Sequence, residues 1–354
     1  MRALNNAIDI TRSNVPEAAL ETYSKPMSLR ERFKKDGVVL VKNVLTQDEI
    51  EAMRGAVAEQ ILMRGESTTS YDFEDLAKQV WKGAEEFDTA GAERFDMSLL
   101  SEILALDLDK RPIRDEPADD SQEDGQENGM FFYDAAGWHF HNGIRNAALR
   151  SALPALCAEL LDTTYLNFWE DTTFVKSPNT PQRTSFHQDY GYFQIEGEKC
   201  AVVWIPLDPV NAESGGMEYI RGSHLWGKKY APNILFAQSI HPFSPFEKLE
   251  DIEANREDYD IVSFDVQPGD VLIHDVMTIH GSRGNISKDR MRRAMSFRYC
   301  GDDITYLDRP GALEQPYLKN KLKDGDPLYW SDDYPLVWTE TDAANRLNYT
   351  LKNT

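Results

Sequence analysis

The sequence predicts a mainly β fold with flanking helices, in which many short strands form a sandwich or a barrel. From residue 164 onward, short segments rich in β-branched and aromatic residues recur, bounded by turn sequences such as Ser214–Gly216 and Gln267–Asp270. Helical patterns are concentrated before residue 164, so strands and helices do not alternate as they do in a parallel sheet. We therefore expect a double-stranded β-helix, or jelly-roll, core with helices packed against one face.

The N-terminal half supplies the helices. A strand is predicted at Gly37–Lys42, and Thr46 with Glu49 forms a capping box that opens a helix. The apolar residues of this helix are spaced by three and four, at Ile50, Met53, Val57 and Ile61. Two further helices are predicted near Asp75–Phe87 and Ala92–Leu106. Helical sequence is also predicted after Asn142, and near Pro154 it either breaks or starts again.

The C-terminal half supplies the strands. They are predicted at Tyr165–Val175, around His187, and at Lys199–Asp208, Met217–Ile220, Tyr259–Phe264, Val271–Met277 continuing to His280, and Arg292–Tyr299.

We predict one main domain at residues 28–303, preceded by an N-terminal arm at 1–27 and followed by a tail at 304–354 that packs on the domain. The segment 107–129 is acidic and poor in apolar residues, which predicts a mobile loop, either a solvated insertion or a lid. Residues 225–258 are rich in proline and charge and form a second excursion.

The composition restricts the possible partners. The 354-residue chain carries 38 Lys and Arg against 60 Asp and Glu, a formal net charge of −22. Nucleic acids and anionic membranes require basic surface, so we expect neither partner and favour a small-molecule substrate. The three cysteines lack C-x-x-C spacing, and the sequence shows no signal peptide or membrane span, which together favour a cytoplasmic protein. The oligomeric state is not indicated.

A metal site is predicted at His187 and Asp189. Residues two apart on a strand point to the same face, so these two side chains can approach one ion. His280 is the favoured third ligand, since it alone is followed by Gly-Ser and then by a strand that begins with a basic residue. His274 is the competing candidate for the third ligand. Two histidines and one carboxylate leave coordination positions open, as Fe(II) oxygenases require. His139 and His141 are a rival pair, and we expect them to lie in the core or in a pocket wall.

Two neighbouring arginines are candidates for a buried anion-binding position. A carboxylate is bound in a bidentate manner by a planar donor, which arginine provides and lysine does not. Arg292 and Arg293 are neighbours on one predicted strand, so only one of them can face the interior.

The sequence resembles the phytanoyl-CoA dioxygenase family of Fe(II)/2-oxoglutarate oxygenases through three motifs. These are His187-x-Asp189, His280 with Ser282 two residues later, and Arg292 at the head of Arg-Arg-Ala. The resemblance extends roughly over residues 29–303. It implies that His187, Asp189 and His280 bind iron, with O₂ as co-reactant and ascorbate as a stimulant. Because Asp189 is present, the resemblance points to hydroxylation of a C–H bond rather than to halogenation.

The resemblance also assigns the cosubstrate site. It implies that Arg292 and Ser282 bind the distal carboxylate of 2-oxoglutarate, and it places Trp204 and Lys176 on strands near the cosubstrate. If the strand register is shifted by one residue, Arg293 takes the place of Arg292. The alternatives are a non-catalytic cupin-like binding protein and a zinc-dependent hydrolase that uses the same three ligands. Neither alternative explains an arginine and a serine downstream of the distal histidine.

Overall fold

The structure, a computed structural model, describes residues 27–62, 70–72, 129–234, 237–240, 244–309 and 322–341. The predicted arm, the two helices near residues 75–87 and 92–106, the acidic segment and His241 therefore lie outside the described residues, apart from Met27 and Gly129. Within the described ranges, no helix is both long enough and apolar enough to cross a membrane.

Four helices and sixteen strands are described. The helices are α1 (Leu29–Asp36), α2 (Gln47–Leu62), α3 (Asn142–Arg150) and α4 (Leu153–Leu161). The strands are β1 (Val38–Val41), β2 (Ser70–Asp72), β3 (Phe131–Ala135), β4 (Tyr165–Lys176), β5 (Thr184–His187), β6 (Ile195–Glu196), β7 (Cys200–Pro206), β8 (Met217–Ile220), β9 (Asn233–Ile234), β10 (Ala237–Ile240), β11 (Ile261–Ser263), β12 (Val271–Asp275), β13 (His280–Ser282), β14 (Arg292–Cys300), β15 (Thr305–Tyr306) and β16 (Leu336–Thr339).

Two antiparallel sheets form the core. The large sheet has the order β1-β12-β7-β14-β4-β3-β2, with β16 from the tail also paired to β4, and the small sheet has the order β11-β8-β13-β5. Along the chain, β4, β7 and β12 of the large sheet are followed by β5, β8 and β13 of the small sheet. Apolar side chains of both sheets, such as Trp204 and Tyr219, share one cluster between them. The predicted mainly β, jelly-roll fold is confirmed.

The helices cover the outer face of the large sheet. Ile50 and Met53 of α2 are fully buried there with Phe297 and Tyr299 of β14. Alternation along β14 turns Arg292 and Ala294 to the opposite face, toward the small sheet. The capping box predicted for α2 is confirmed, because the Thr46 amide donates to Glu49 Oε2 (2.8 Å) and the Glu49 amide donates to Thr46 Oγ1 (3.3 Å).

The predicted continuous strand from Val271 to His280 is wrong. It is divided at residues 276–279 into β12 in the large sheet and β13 in the small sheet. Asp275 makes the turn, since its Oδ1 accepts from the Met277 amide (2.8 Å) and its carbonyl accepts from the Thr278 amide (2.8 Å). The turn brings His280 to the small sheet, where it lies beside β5.

A buried carboxylate links the large sheet to the turn before α3. Asp171 of β4 is fully buried and accepts hydrogen bonds from the backbone amides of Trp138 (2.8 Å) and Gly137 (3.2 Å). Burial raises the pKa of Asp171 to about 7, and nearby Asp134 and Glu170 also raise it.

This raised pKa predicts a pH-dependent stability. A carboxyl group whose pKa is higher in the folded protein stabilises the fold at acidic pH, and that contribution is lost as the pH rises through 7. Asp171→Asn abolishes the titration, so the stability of the variant relative to wild type should improve by about 2 kcal/mol between about pH 5 and pH 8. Denaturant unfolding at both pH values tests this, with exposed Asp258→Asn as the control. If the difference in the free energy of unfolding between Asp171→Asn and wild type were the same at both pH values, the raised pKa of Asp171 would be contradicted.

Candidate functional site

Three predicted metal ligands are brought together at one end of the small sheet. His187 is the last residue of β5, and His280 is the first residue of β13. The two are direct partners in the antiparallel register of these strands. Asp189 follows β5 immediately, and one ligand atom from each of the three buried residues lies within 4.8 Å of the others. Among the described residues this is the group able to hold a metal ion.

The prediction that Asp189 lies on the same strand as His187 is wrong. Asp189 begins a 3₁₀ turn, Asp189–Tyr192. The side chain of Gln188 accounts for the change of direction, because its amide nitrogen donates to the Met277 carbonyl (2.9 Å) and its oxygen accepts from the Tyr230 amide (2.9 Å). Gln188 therefore fixes the backbone between two ligands.

Backbone carbonyls orient both histidines. His187 Nδ1 lies 2.8 Å from the Ser185 carbonyl, and His280 Nδ1 lies 2.9 Å from the Thr278 carbonyl. A carbonyl only accepts, so Nδ1 carries the proton in each ring and Nε2 keeps its lone pair. This arrangement is typical of metal-binding histidines, whose second nitrogen donates to a carbonyl or a carboxylate.

The electrostatics of the group also favour a cation. Asp189 Oδ1 lies 3.3 Å from His187 Nε2 and 3.7 Å from His280 Nε2. Burial would raise the pKa of Asp189, but the facing imidazoles of His280, His187 and His274 hold it well below its ordinary value. Burial lowers the pKa of His280 well below its ordinary value, and His274 and His187 lower it further. These shifts favour a carboxylate at Asp189 and a neutral imidazole at His280, the protonation states that bind divalent metals.

His274 lies beside the group without belonging to it. It is on β12 of the large sheet, and its ring centroid is 4.3 Å from that of His280. Its Nε2 is 3.8 Å from Asp189 Oδ2, which is too long for a hydrogen bond. Neither ring nitrogen has a hydrogen-bond partner among the described residues.

The other described histidines serve local structure. His139 packs on Trp138 with ring centroids 4.0 Å apart, and His141 Nδ1 lies 3.0 Å from a carboxylate oxygen of Glu59. The rival pair therefore forms no described metal group. His224 Nε2 donates to the Lys34 carbonyl (3.1 Å).

Arg292 is buried between the sheets with unused donors. Only 1% of its surface is exposed, and its Nε and Nη1 have no partner among the described residues. Its Nη2 lies 3.5 Å from Ser282 Oγ, and its guanidinium carbon lies 5.8 Å from the ring centroid of Trp204. Burial lowers the pKa of Arg292 to about 10. A buried guanidinium with free donors is expected to bind an anion.

Lys176 is a second buried cation in this pocket. Its Nζ donates to Ser282 Oγ (2.9 Å) and to the carbonyls of Gln182 (3.0 Å) and Arg283 (2.8 Å). All three ammonium protons are therefore used. Burial lowers the pKa of Lys176 well below its ordinary value, and the charge of Arg292 lowers it further. Neither Lys176 nor Arg292 forms an ion pair among the described residues, so two buried basic groups lie beside Ser282 without a described acidic partner.

Arg293 faces the other way. It is half-buried and binds Asp208 through two side-chain hydrogen bonds, from Nη2 (2.6 Å) and from Nε (2.9 Å). The charge of Arg293 is therefore already neutralised, and the structure places Arg292 in the interior.

Sequence reasoning missed two polar residues between the sheets. Arg298 lies six residues after Arg292 on β14, and its Nη1 donates to Thr172 Oγ1 (2.5 Å). Strand alternation from Arg292 could have found it. Tyr219 is paired with His280 in the register, and its buried hydroxyl has no partner among the described residues. It lies in a predicted strand and belongs to no motif, so nothing in the sequence distinguishes it from the other aromatic residues.

Solved structures share this fold. One is SnoK, described as a non-haem α-ketoglutarate-dependent carbocyclase from nogalamycin biosynthesis, with 20% identity over 90% of this chain and 98% of SnoK, and a TM-score of 0.59. Another is SnoN, described as a non-haem α-ketoglutarate-dependent epimerase from nogalamycin biosynthesis, with 19% identity over 91% of this chain and 99% of SnoN, and a TM-score of 0.57. At this identity the likeness establishes the fold.

The sequence itself establishes the family. A family model described as phytanoyl-CoA dioxygenase (PhyH) matches residues 33–294, which is well over half of the 354-residue chain. The matched region contains His187, Asp189, His280 and Arg292. The chain belongs to the phytanoyl-CoA dioxygenase (PhyH) family.

Proposed function

We propose that the chain is an Fe(II)- and 2-oxoglutarate-dependent dioxygenase that hydroxylates a C–H bond of a small molecule. One observation carries this proposal. A ligand group of two histidines and one carboxylate lies in the same inter-sheet space as a buried arginine that has free donors and no ion pair among the described residues. The first feature suits a divalent metal with open positions, and the second suits the carboxylate of a cosubstrate.

His187, Asp189 and His280 would hold the iron. Their donor atoms converge, and the backbone bonds to Nδ1 leave both Nε2 lone pairs available. Three protein ligands leave room for a cosubstrate and O₂. Together, the iron, 2-oxoglutarate and O₂ supply the oxidising power to break a C–H bond, with release of succinate and CO₂.

Arg292 and Ser282 would bind the distal carboxylate of 2-oxoglutarate. Arg292 offers Nε and Nη1, and Ser282 lies next to it. Lys176 would act through its charge and by holding Ser282, because its own protons are used. Trp204 forms the wall beside the guanidinium.

Hydroxylation is the favoured outcome because Asp189 retains the metal carboxylate. SnoK and SnoN are described as a carbocyclase and an epimerase, so related folds carry other oxidative outcomes. Ring closure or desaturation of a small molecule would use the same protein groups. The strongly acidic chain argues for a substrate without several phosphates, since these would require basic surface.

The two alternatives account for less of the site. A zinc hydrolase could use the same three ligands, with water in the fourth position. A cupin-like binding protein could hold a metal without turnover. Neither requires a buried arginine and lysine without ion pairs beside the metal group, whereas a dicarboxylate cosubstrate does.

Release of succinate tests the proposal directly. The protein is incubated with 2-oxoglutarate, ascorbate and Fe(II), and succinate is measured with and without a panel of small molecules. We expect succinate that requires both Fe(II) and 2-oxoglutarate and that rises with the correct substrate. Succinate release without substrate should be slower than release with it. Hydrolysis supported by zinc in the absence of 2-oxoglutarate would favour the hydrolase instead.

A further inference from the structure

His274 is a buried histidine to which the site described above gives no role. Its ring is 1% exposed, and neither nitrogen has a hydrogen-bond partner among the described residues. Leaving buried polar atoms unpaired destabilises a folded protein. A well-packed apolar side chain would avoid this cost, so the imidazole requires an explanation.

The position of His274 relative to Asp189 provides one. Asp189 Oδ1 is the oxygen nearest to His187 Nε2 and His280 Nε2, at 3.3 Å and 3.7 Å. The other oxygen, Oδ2, faces His274 Nε2 at 3.8 Å. The carboxylate thus directs one oxygen to the metal ligands and the other to His274.

His274 also differs from the two ligand histidines. The Nδ1 atoms of His187 and His280 donate to backbone carbonyls, which fixes both Nε2 atoms as acceptors. His274 Nδ1 has no such carbonyl partner among the described residues, so nothing forces the proton onto Nδ1. A proton on Nε2 would face a carboxylate oxygen, which is the favourable arrangement.

We propose that His274 is a positioning residue that donates a hydrogen bond from Nε2 to Asp189 Oδ2 and so keeps Asp189 bound to the metal through Oδ1 alone. This inference rests on the proposed metal site. The bond requires the two atoms to approach by about 1 Å, since N–H···O distances are about 2.9 Å. Partners of metal-bound carboxylates typically contribute about 10–100-fold to metal affinity.

The test uses the full-length protein and Co(II) alone. Co(II) affinity is measured by calorimetric titration for wild type and for His274→Phe, His274→Gln and Leu272→Met. Gln places an amide donor near the position of Nε2. Leu272 is buried two residues earlier on the same strand and face, so its volume-conserving change is the matched control.

We expect Co(II) binding to be about 10–100-fold weaker in His274→Phe and within about three-fold of wild type in His274→Gln and Leu272→Met. The metal-free His274→Phe protein should melt at the same temperature as wild type or higher, because it no longer buries unpaired polar atoms. If His274 had a purely structural role, His274→Phe would lower both the Co(II) affinity and the melting temperature. If the Phe variant folds poorly, His274→Leu replaces it.

Three results would overturn the proposal. The first is wild-type Co(II) affinity in His274→Phe, and the second is equal weakening in the Phe and Gln variants. The third is X-ray absorption of the Co(II) protein that shows three imidazole ligands, since His274 would then be a ligand; we expect two. If wild type binds no Co(II) at all, the metal site itself is refuted, which is a separate failure.

Discussion

Replacing Asp189 with alanine should abolish turnover and weaken metal binding by more than about 100-fold, because losing even an indirect partner of a metal ligand costs about 10–100-fold. The variant keeps the imidazoles of His187 and His280, whose ring centroids are 4.4 Å apart, and removes the anionic group that would complete the metal site. Fe(II)-dependent succinate release and Co(II) titration measure the two effects.

The control for Asp189→Ala is Asp289→Ala. Asp289 is an exposed aspartate in the turn before β14, and its loss should change neither quantity. Circular dichroism should show that both metal-free variants are folded. Succinate release at the wild-type rate by Asp189→Ala would remove Asp189 from the site and, with it, the argument for hydroxylation.

Arg292→Ala should raise the Michaelis constant for 2-oxoglutarate by two orders of magnitude or more. Removing one member of a buried ion pair costs about 3–5 kcal/mol, and each 1.4 kcal/mol is about ten-fold. Lys176 cannot substitute, because its three protons are bound to Ser282 and to two carbonyls. The Co(II) affinity should change little, since the guanidinium is not a ligand.

Arg293→Ala provides the matched comparison on the adjacent residue. Its guanidinium binds Asp208 on the outer side of the sheet, so the variant should lose some stability and keep the wild-type Michaelis constant. If the two variants exchanged phenotypes, the inward position of Arg292 would be wrong. If neither affected 2-oxoglutarate, the anion pocket would lose its proposed ligand.

Residue composition, turn sequences and motif spacing were sufficient to predict the fold and much of the candidate site. Short segments rich in β-branched and aromatic residues recur from residue 165 onward, and His187-x-Asp189 with the downstream His280 identified three residues that the fold does bring together. Side-chain alternation along a strand placed Arg292 in the interior, but it does not explain the meeting of His187 and Asp189, because Asp189 begins a 3₁₀ turn and does not continue the strand.

What the sequence could not show depends on contacts between distant segments. The break between β12 and β13 occurs in the apolar residues 276–279, which contain no glycine or proline, and the turn is made by Asp275. The turn that begins at Asp189 likewise depends on Gln188 bonding to residues 40 or more positions away. Helix α1 was missed although Ser28 and Glu31 form the same kind of capping box as α2.

The division of the site between the two sheets has a consequence for chemical selectivity. His187 and His280 belong to the small sheet and Arg292 to the large sheet, and a hydrogen bond from Lys176 of the large sheet to Ser282 of the small sheet joins the sheets beside the arginine. A molecule that chelates the metal at one end and reaches Arg292 at the other must therefore match a fixed gap. Oxaloacetate is one methylene too short and 2-oxoadipate one too long, so each should compete poorly with 2-oxoglutarate.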